Sequence, residues 1–85
     1  DIYSLGVIAY QMLSGKLPFE GSFTEVMRAH QETAPPVFEA KKVPKRLKRM
    51  IIESLSKDRE MRPASAEAFA SRLRANSEGL GTLLR

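Results

Sequence analysis

The sequence has no cysteine and no tryptophan, and only one histidine, His30. Without cysteine there is no disulfide framework and no thiolate metal site, which excludes the small secreted scaffolds and zinc-thiolate modules. An intracellular setting is thereby permitted. One imidazole gives no basis for a histidine metal cluster or a Ser–His–Asp triad. No apolar run reaches the roughly eighteen residues that span a bilayer, and no stretch has the layout of a signal peptide. Apolar–polar alternation is too weak to predict a strand, and no internal repeat is present. Position 1 is Asp rather than Met, which reads as a break within a longer sequence rather than a start.

What is present is an ordinary soluble balance: 85 residues, 42% apolar and 28% charged, one domain or less and not a disordered chain. The net charge of +4 is local. Six of the 14 basic residues lie between Lys41 and Arg49 (Lys41, Lys42, Lys45, Arg46, Lys48, Arg49), leaving eight basic against ten acidic elsewhere. With no aromatic interleaved, this run reads as a solvated helix face, and no nucleic-acid partner is expected.

Four helices are predicted. The first runs from Asp1, a carboxylate suited to orphan N–H groups, to Ser14, with Gly15 as a left-handed cap. Ser22 and Glu25 have the spacing of a capping box and open a second helix to about Gln31. Its stripe is Phe23, Val26, Met27 and His30, and His30 reads as a partly exposed helix residue. Pro35 and Pro36 follow, then an irregular, exposed connection through Lys42. Pro44 suits the first turn of a third helix, whose stripe is Leu47, Met50, Ile51 and Leu55. In the loop 57–63, Asp58 and Glu60 flanked by Arg59 and Arg62 favour local ion pairing over acid–base work. Ser65 caps a fourth helix ending near Asn76, with Ala66, Phe69 and Leu73 inward. Residues 1–76 are read as the folded part. Residues 77–85, with Gly79 and Gly81, are read as a tail or the start of a linker, not a phosphate loop.

The first helix has no charged residue between Ile2 and Gly15, and apolar side chains surround it. Such a helix needs cover on every side, yet at about 21 Å it is too short for a membrane. Three amphipathic helices offer single stripes, less than a full wrapping. A compact four-helix domain with an unusually apolar central helix stays open on pattern alone.

The run D-I-Y-S-L-G-V-I-A-Y-Q-M-L-S-G-K-L-P-F, Asp1 to Phe19, closely resembles the central F helix of eukaryotic-type (Hanks-type) Ser/Thr protein kinases. K-D-R-E-M-R-P, Lys57 to Pro63, resembles the segment between that family's H and I helices. E-V-M-R-A-H before the double proline is similar to the G-helix region of bacterial members. Together these cover residues 1 to about 75. The resemblance implies an all-α segment, helices F to I, from the helical C-lobe of a protein-kinase-like α+β fold.

It further implies two structural anchors. Asp1 matches the aspartate that accepts hydrogen bonds from catalytic-loop amides, and Arg62 the arginine that forks onto a glutamate ending the activation segment. Neither partner is in this sequence. Phe19, Phe23, Val26 and Met27 mark a surface for docking protein substrates. No catalytic, cofactor or metal residue is assigned here: the Gly-rich loop, strand lysine, catalytic-loop Asp and Asn and metal-binding Asp of a kinase have no counterpart. ATP and Mg2+ are implied for the intact kinase alone, and the N-lobe and catalytic-loop region of the same chain become this segment's partners. Cytoplasmic placement is expected, compatible with a membrane anchor further along the parent. A non-catalytic helical interaction module, or a pseudokinase remnant, is the alternative.

Overall fold

The computed structural model describes residues 1–76; the tail at 77–85 lies outside the described residues. Four helices follow one another: α1 (Ile2–Ser14), α2 (Phe23–Glu32), α3 (Lys45–Ser54) and α4 (Ala66–Asn76), with a single 3-10 turn at Arg59–Met61 before α4. There is no strand among the described residues. The fold is all-α.

Local chemistry sets the helix ends. Asp1 Oδ1 accepts the Tyr3 N–H at 2.8 Å and caps α1. At the other end Gly15 sits at φ 77°, where a side chain would be strained, and returns its N–H to Gln11 O at 2.9 Å. Ser22 Oγ accepts the Glu25 N–H at 3.2 Å while Glu25 Oε1 accepts the Ser22 N–H at 3.3 Å, so the expected capping box is formed. Ser65 Oγ accepts the Ala68 N–H at 3.0 Å and caps α4. Pro44 stands as the cap of α3 rather than in its first turn, its carbonyl accepting from Leu47 and Lys48.

The packing centre is α3. It lies against α1 on one side and α4 on the other, and Leu47, Met50, Ile51 and Leu55 are at most 1% exposed. Burying side chains of this kind contributes about 1.5–3 kcal/mol each. Tyr10 of α1 and Phe69 of α4 complete the core from the flanks. Gly6 makes the α1 contact possible: a Cβ at that position would stand 3.0 Å from Ser54 Cβ and 3.1 Å from Leu55 Cδ2. Ser54, fully buried, gives its hydroxyl proton to Met50 O at 3.0 Å, so no polar group is stranded at the crossing. Across α3 and α4, Arg72 bonds Glu53.

Three expectations need correction. The connection between Pro36 and Lys42 is irregular but not uniformly exposed, since Phe38 is buried and Val43 just beyond it closes the same core. Tyr10 draws this segment inward: its hydroxyl donates to Pro36 O at 2.8 Å, and its ring meets Phe38 edge-on at 5.0 Å. Ala66 is exposed at the first position of α4, while the longer side chains of Phe69 and Leu73, further along the same face, reach the core. Asp58 accepts the Glu60 N–H at 2.9 Å and caps the 3-10 turn, a backbone role in place of the expected ion pairing.

The helix expected to need cover on every side receives it on one. Gly6 and Tyr10 are buried against α3 and the Pro36–Val43 segment, whereas Ile8 and Met12 are 53% and 78% exposed.

The Gly6 crossing yields a stability test. Gly6→Ala gains about 1 kcal/mol of helix propensity and loses about 1–3 kcal/mol to overpacking, so a net loss of up to about 2 kcal/mol is expected in denaturant unfolding. Gly6→Val is expected to be worse, because its branched Cβ adds bulk where space is already short. A Gly6→Ala protein more stable than wild type would show that α1 and α3 separate freely. Tyr10→Phe removes one hydroxyl donor to a carbonyl and is expected to cost about 1 kcal/mol, with faster proteolysis of residues 36–43.

Candidate functional site

Asp1 and Arg62 are 61 positions apart in sequence, yet both line one cleft of about 700 Å3, together with Ile2, Arg59, Glu60, Pro63 and Ala64. The start of α1 forms one wall and the 3-10 turn with the strand-like exit to α4 forms the other. Arg62 is anchored from behind. Its Nε–H donates to Ser56 O at 2.7 Å and an Nη2–H to Lys57 O at 3.4 Å. Two of the five guanidinium donors are thereby taken by backbone carbonyls. The guanidinium carbon also lies 5.1 Å from the centre of the Tyr3 ring, a cation–π distance. Asp1 is exposed, one of its oxygens occupied with the Tyr3 N–H.

Behind this cleft is a cluster of rings and cations. The Tyr3 hydroxyl lies 2.7 Å from His30 Nδ1 and accepts from Lys57 Nζ at 3.3 Å. The His30 ring is held edge-on between two aromatics, Tyr3 at 5.5 Å and Phe19 at 5.0 Å. Lys57 Nζ sits 4.9 Å from the Phe19 centroid and 5.5 Å from that of Tyr3. Burial lowers His30 below the ordinary imidazole value, with the neighbouring Lys57 charge adding to it. Burial likewise lowers Lys57, helped by Arg62. The Tyr3 phenol is pushed up by burial and pulled partly back by Arg62. The direction of this bond follows the imidazole tautomer: with the ring proton on Nε2, Tyr3 O–H donates to Nδ1.

Asp1 and Arg62, singled out in the sequence, line one cleft, whereas no sequence motif marks Tyr3, His30 and Lys57 as a unit. No local spacing links positions 3, 30 and 57. The one available signal was that α2 would present a histidine at the inward end of its stripe.

The residues expected to form a docking surface divide. Phe23 is 81% exposed and Met27 47%, Val26 is half-buried, and α2 has no buried residue. Phe19 is half-buried, with its ring engaged by His30 and Lys57. In the basic run, Lys41, Lys42, Lys45, Arg46 and Arg49 are exposed and Lys48 lies over the Phe38 ring at 5.9 Å. No group of three or more His, Asp or Glu side chains among the described residues is placed to hold a metal. No described helix is long and apolar enough to cross a membrane.

No family model matches the chain. Individual proteins do. It is 40% identical over 80 residues to the serine/threonine-protein kinase pkn3 of Myxococcus xanthus, covering 88% of this chain and 15% of that protein. It is 38% identical over 73 residues to serine/threonine-protein kinase A of Synechocystis, covering 81% and 14% respectively. PknA of Mycobacterium tuberculosis, also a serine/threonine-protein kinase, is 36% identical over 81 residues, covering 93% and 18%. The chain thus spans less than a fifth of the length of each of these relatives. An all-helical arrangement, the matched motifs in order and this set of relatives agree: the chain belongs to the bacterial type of Hanks Ser/Thr protein kinases, as a segment of the helical C-lobe.

Proposed function

We propose that the parent protein transfers the γ-phosphoryl group of Mg·ATP to Ser or Thr hydroxyls of protein substrates, and that these residues brace the machinery without performing the transfer. The convergence of Asp1 and Arg62 on one polar cleft carries this reading. A carboxylate on one wall suits backbone N–H groups, because charge-assisted bonds are the stronger kind. A guanidinium on the other, pre-oriented by Ser56 and Lys57 carbonyls, suits a carboxylate. A catalytic loop entering beside Asp1 and an activation segment ending at Arg62 would be held at a fixed separation by α1.

The residues present do not make a fit for nucleotide or magnesium, since the sequence has neither a Gly-rich loop followed by a strand lysine nor a converging carboxylate set among the described residues. No step of the transfer is assigned to a side chain here. Phe23 and Met27 with Val26 offer an apolar helix face for docking protein substrates, and Ile8 and Met12 of α1 form a flank for the rest of the lobe to cover.

Asp1→Asn in the full-length kinase separates bracing from simple capping. Asn caps a helix as well as Asp, so the melting temperature is expected to hold. The lost charge is expected to lower kcat by at least about tenfold, equivalent to about 1.4 kcal/mol of transition-state stabilisation. Unchanged turnover would reduce Asp1 to a cap. Arg62→Ala strands its partner carboxylate, and because Arg62 is half-buried the expected cost is toward the lower end of the ~3–5 kcal/mol seen for broken buried pairs. The double change Phe23→Ala, Met27→Ala is expected to stay within about 0.5 kcal/mol in stability while raising KM for a protein substrate and leaving KM for ATP unchanged. An equal effect on both would remove the docking role.

A further inference from the structure

We infer that His30, clamped between Tyr3 and Phe19 beside Lys57, is a proton-sensitive latch that attaches α2 to α1 when neutral and loosens it when protonated. The need for a latch follows from how α2 is held. The helix contributes no buried residue, so it has little hydrophobic anchorage, and the cross-links described for it converge on His30: the 2.7 Å contact with Tyr3 and two edge-on ring contacts.

Charge makes that link sensitive to protons. The groups facing the imidazole are the Tyr3 hydroxyl from α1, the Phe19 ring from the connector, and Lys57 from the loop after α3, with Arg62 on the Tyr3 ring behind it. Those that carry charge are all cationic. On His30's own helix, Glu25 is taken by the capping box, and Arg28 and Glu32 lie two residues to either side, about 160° around the helix. A protonated imidazole would place a third positive charge around one phenol. From the Nε2–H tautomer it would also turn Nδ1 from acceptor to donor, so that the Tyr3 oxygen would face two donors, Lys57 and His30, and would redirect its own proton to the weaker His30 O contact at 3.5 Å.

The direction of the pH effect follows. Burial, reinforced by Lys57, lowers His30 below 6.5 in the attached state, so detached α2 binds more protons than attached α2 between the two values. Attachment is at full strength above pH 6.5 and weakens as pH falls through the lower, attached-state value.

The test is hydrogen exchange of the full-length protein between pH 7.5 and 5, read as protection of α2 amides relative to α3 amides so that the intrinsic pH dependence cancels. Relative protection is expected to fall about tenfold for each unit by which the attached pKa lies below the free one. His30→Gln, which keeps an acceptor and never charges, is expected to give a flat profile. Lys57→Met is expected to raise the His30 pKa toward 6.5 in an NMR titration and shrink the pH dependence. A flat wild-type profile, a His30 pKa at or above 6.5, or a pH dependence that survives in His30→Gln would each overturn the latch. Should His30→Gln fail to fold, the Lys57→Met titration decides alone, and an unmoved pKa overturns it.

Discussion

The arrangement depends on the absence of one side chain, at Gly6. There the backbone of α1 comes close enough to α3 that a Cβ would stand 3.0 Å from Ser54. Residues 3, 6 and 10 share one helical face, at the i, i+3, i+7 spacing. Gly6 is the middle of this stripe and the tyrosines are its ends. With the crossing seated at Gly6, the Tyr10 hydroxyl reaches Pro36 O and the Tyr3 hydroxyl reaches His30 and Lys57. Two phenols thus tie down the chain segments on either side of α3, and each depends on how deeply α1 sits. A side chain at position 6 would lift the helix and lengthen bonds at both ends at once.

The two tethers differ in kind. At Tyr10 the ring is buried, Phe38 packs against it, and one donor meets one carbonyl, so the contact is ordinary core with its polar tip satisfied. At Tyr3 the ring serves as a platform for cations. Lys57 and Arg62 both approach it, Lys57 also bonds its oxygen, and His30 completes the set. The π-face and the phenolic oxygen supply the electron density for these cations that an acidic side chain would otherwise give. This arrangement holds Arg62 in place without neutralising it, which a local carboxylate would have done. An arginine already paired within the segment would be a poor receiver for a carboxylate from elsewhere.

Much of the helical plan was legible because its signals are local. The Ser22–Glu25 box, Gly15 after Ser14 and the 47–50–51–55 stripe are each determined by residues within two turns of one another. Asp1 and Arg62 are singled out only through resemblance, since nothing in their local surroundings separates them from a cap and a surface arginine. Phe38 and Val43 were not legible. The segment has no period to read, and their burial is decided by Tyr10 and α3, up to 33 positions away. The Tyr3–His30–Lys57 cluster failed for the same reason. Its members occupy three elements, and what unites them is the depth of the Gly6 crossing, which no sequence window contains. Ala66 shares the helical face of Phe69 and Leu73, but at the first position of α4 it stands exposed, which the period alone does not reveal.

The exposed flank of α1 is the counterpart of the Gly6 stripe. Ile8 stands about 200° around the helix from Gly6 and Met12 about 240°, so one face is committed to α3 while the opposite one is open and uncharged, with Ile8 and Met12 exposed beside Ser4 and Gln11. A helix charged on that face would serve a free-standing domain better. Its lack of charge and the exposed Ile8 and Met12 make sense if a second body of protein packs there, as the proposed lobe requires. The helix would then be a rod between two layers, with Asp1 at its tip and Tyr3 in its first turn. Because a helix is stiff over thirteen residues, any load on the open flank is transmitted to the tip as a rigid movement. The Asp1 carboxylate would follow the rod, and the Arg62 guanidinium would follow through Tyr3. Shared mounting on one helix therefore keeps the two cleft walls in register, and it does so without a direct bond between Asp1 and Arg62.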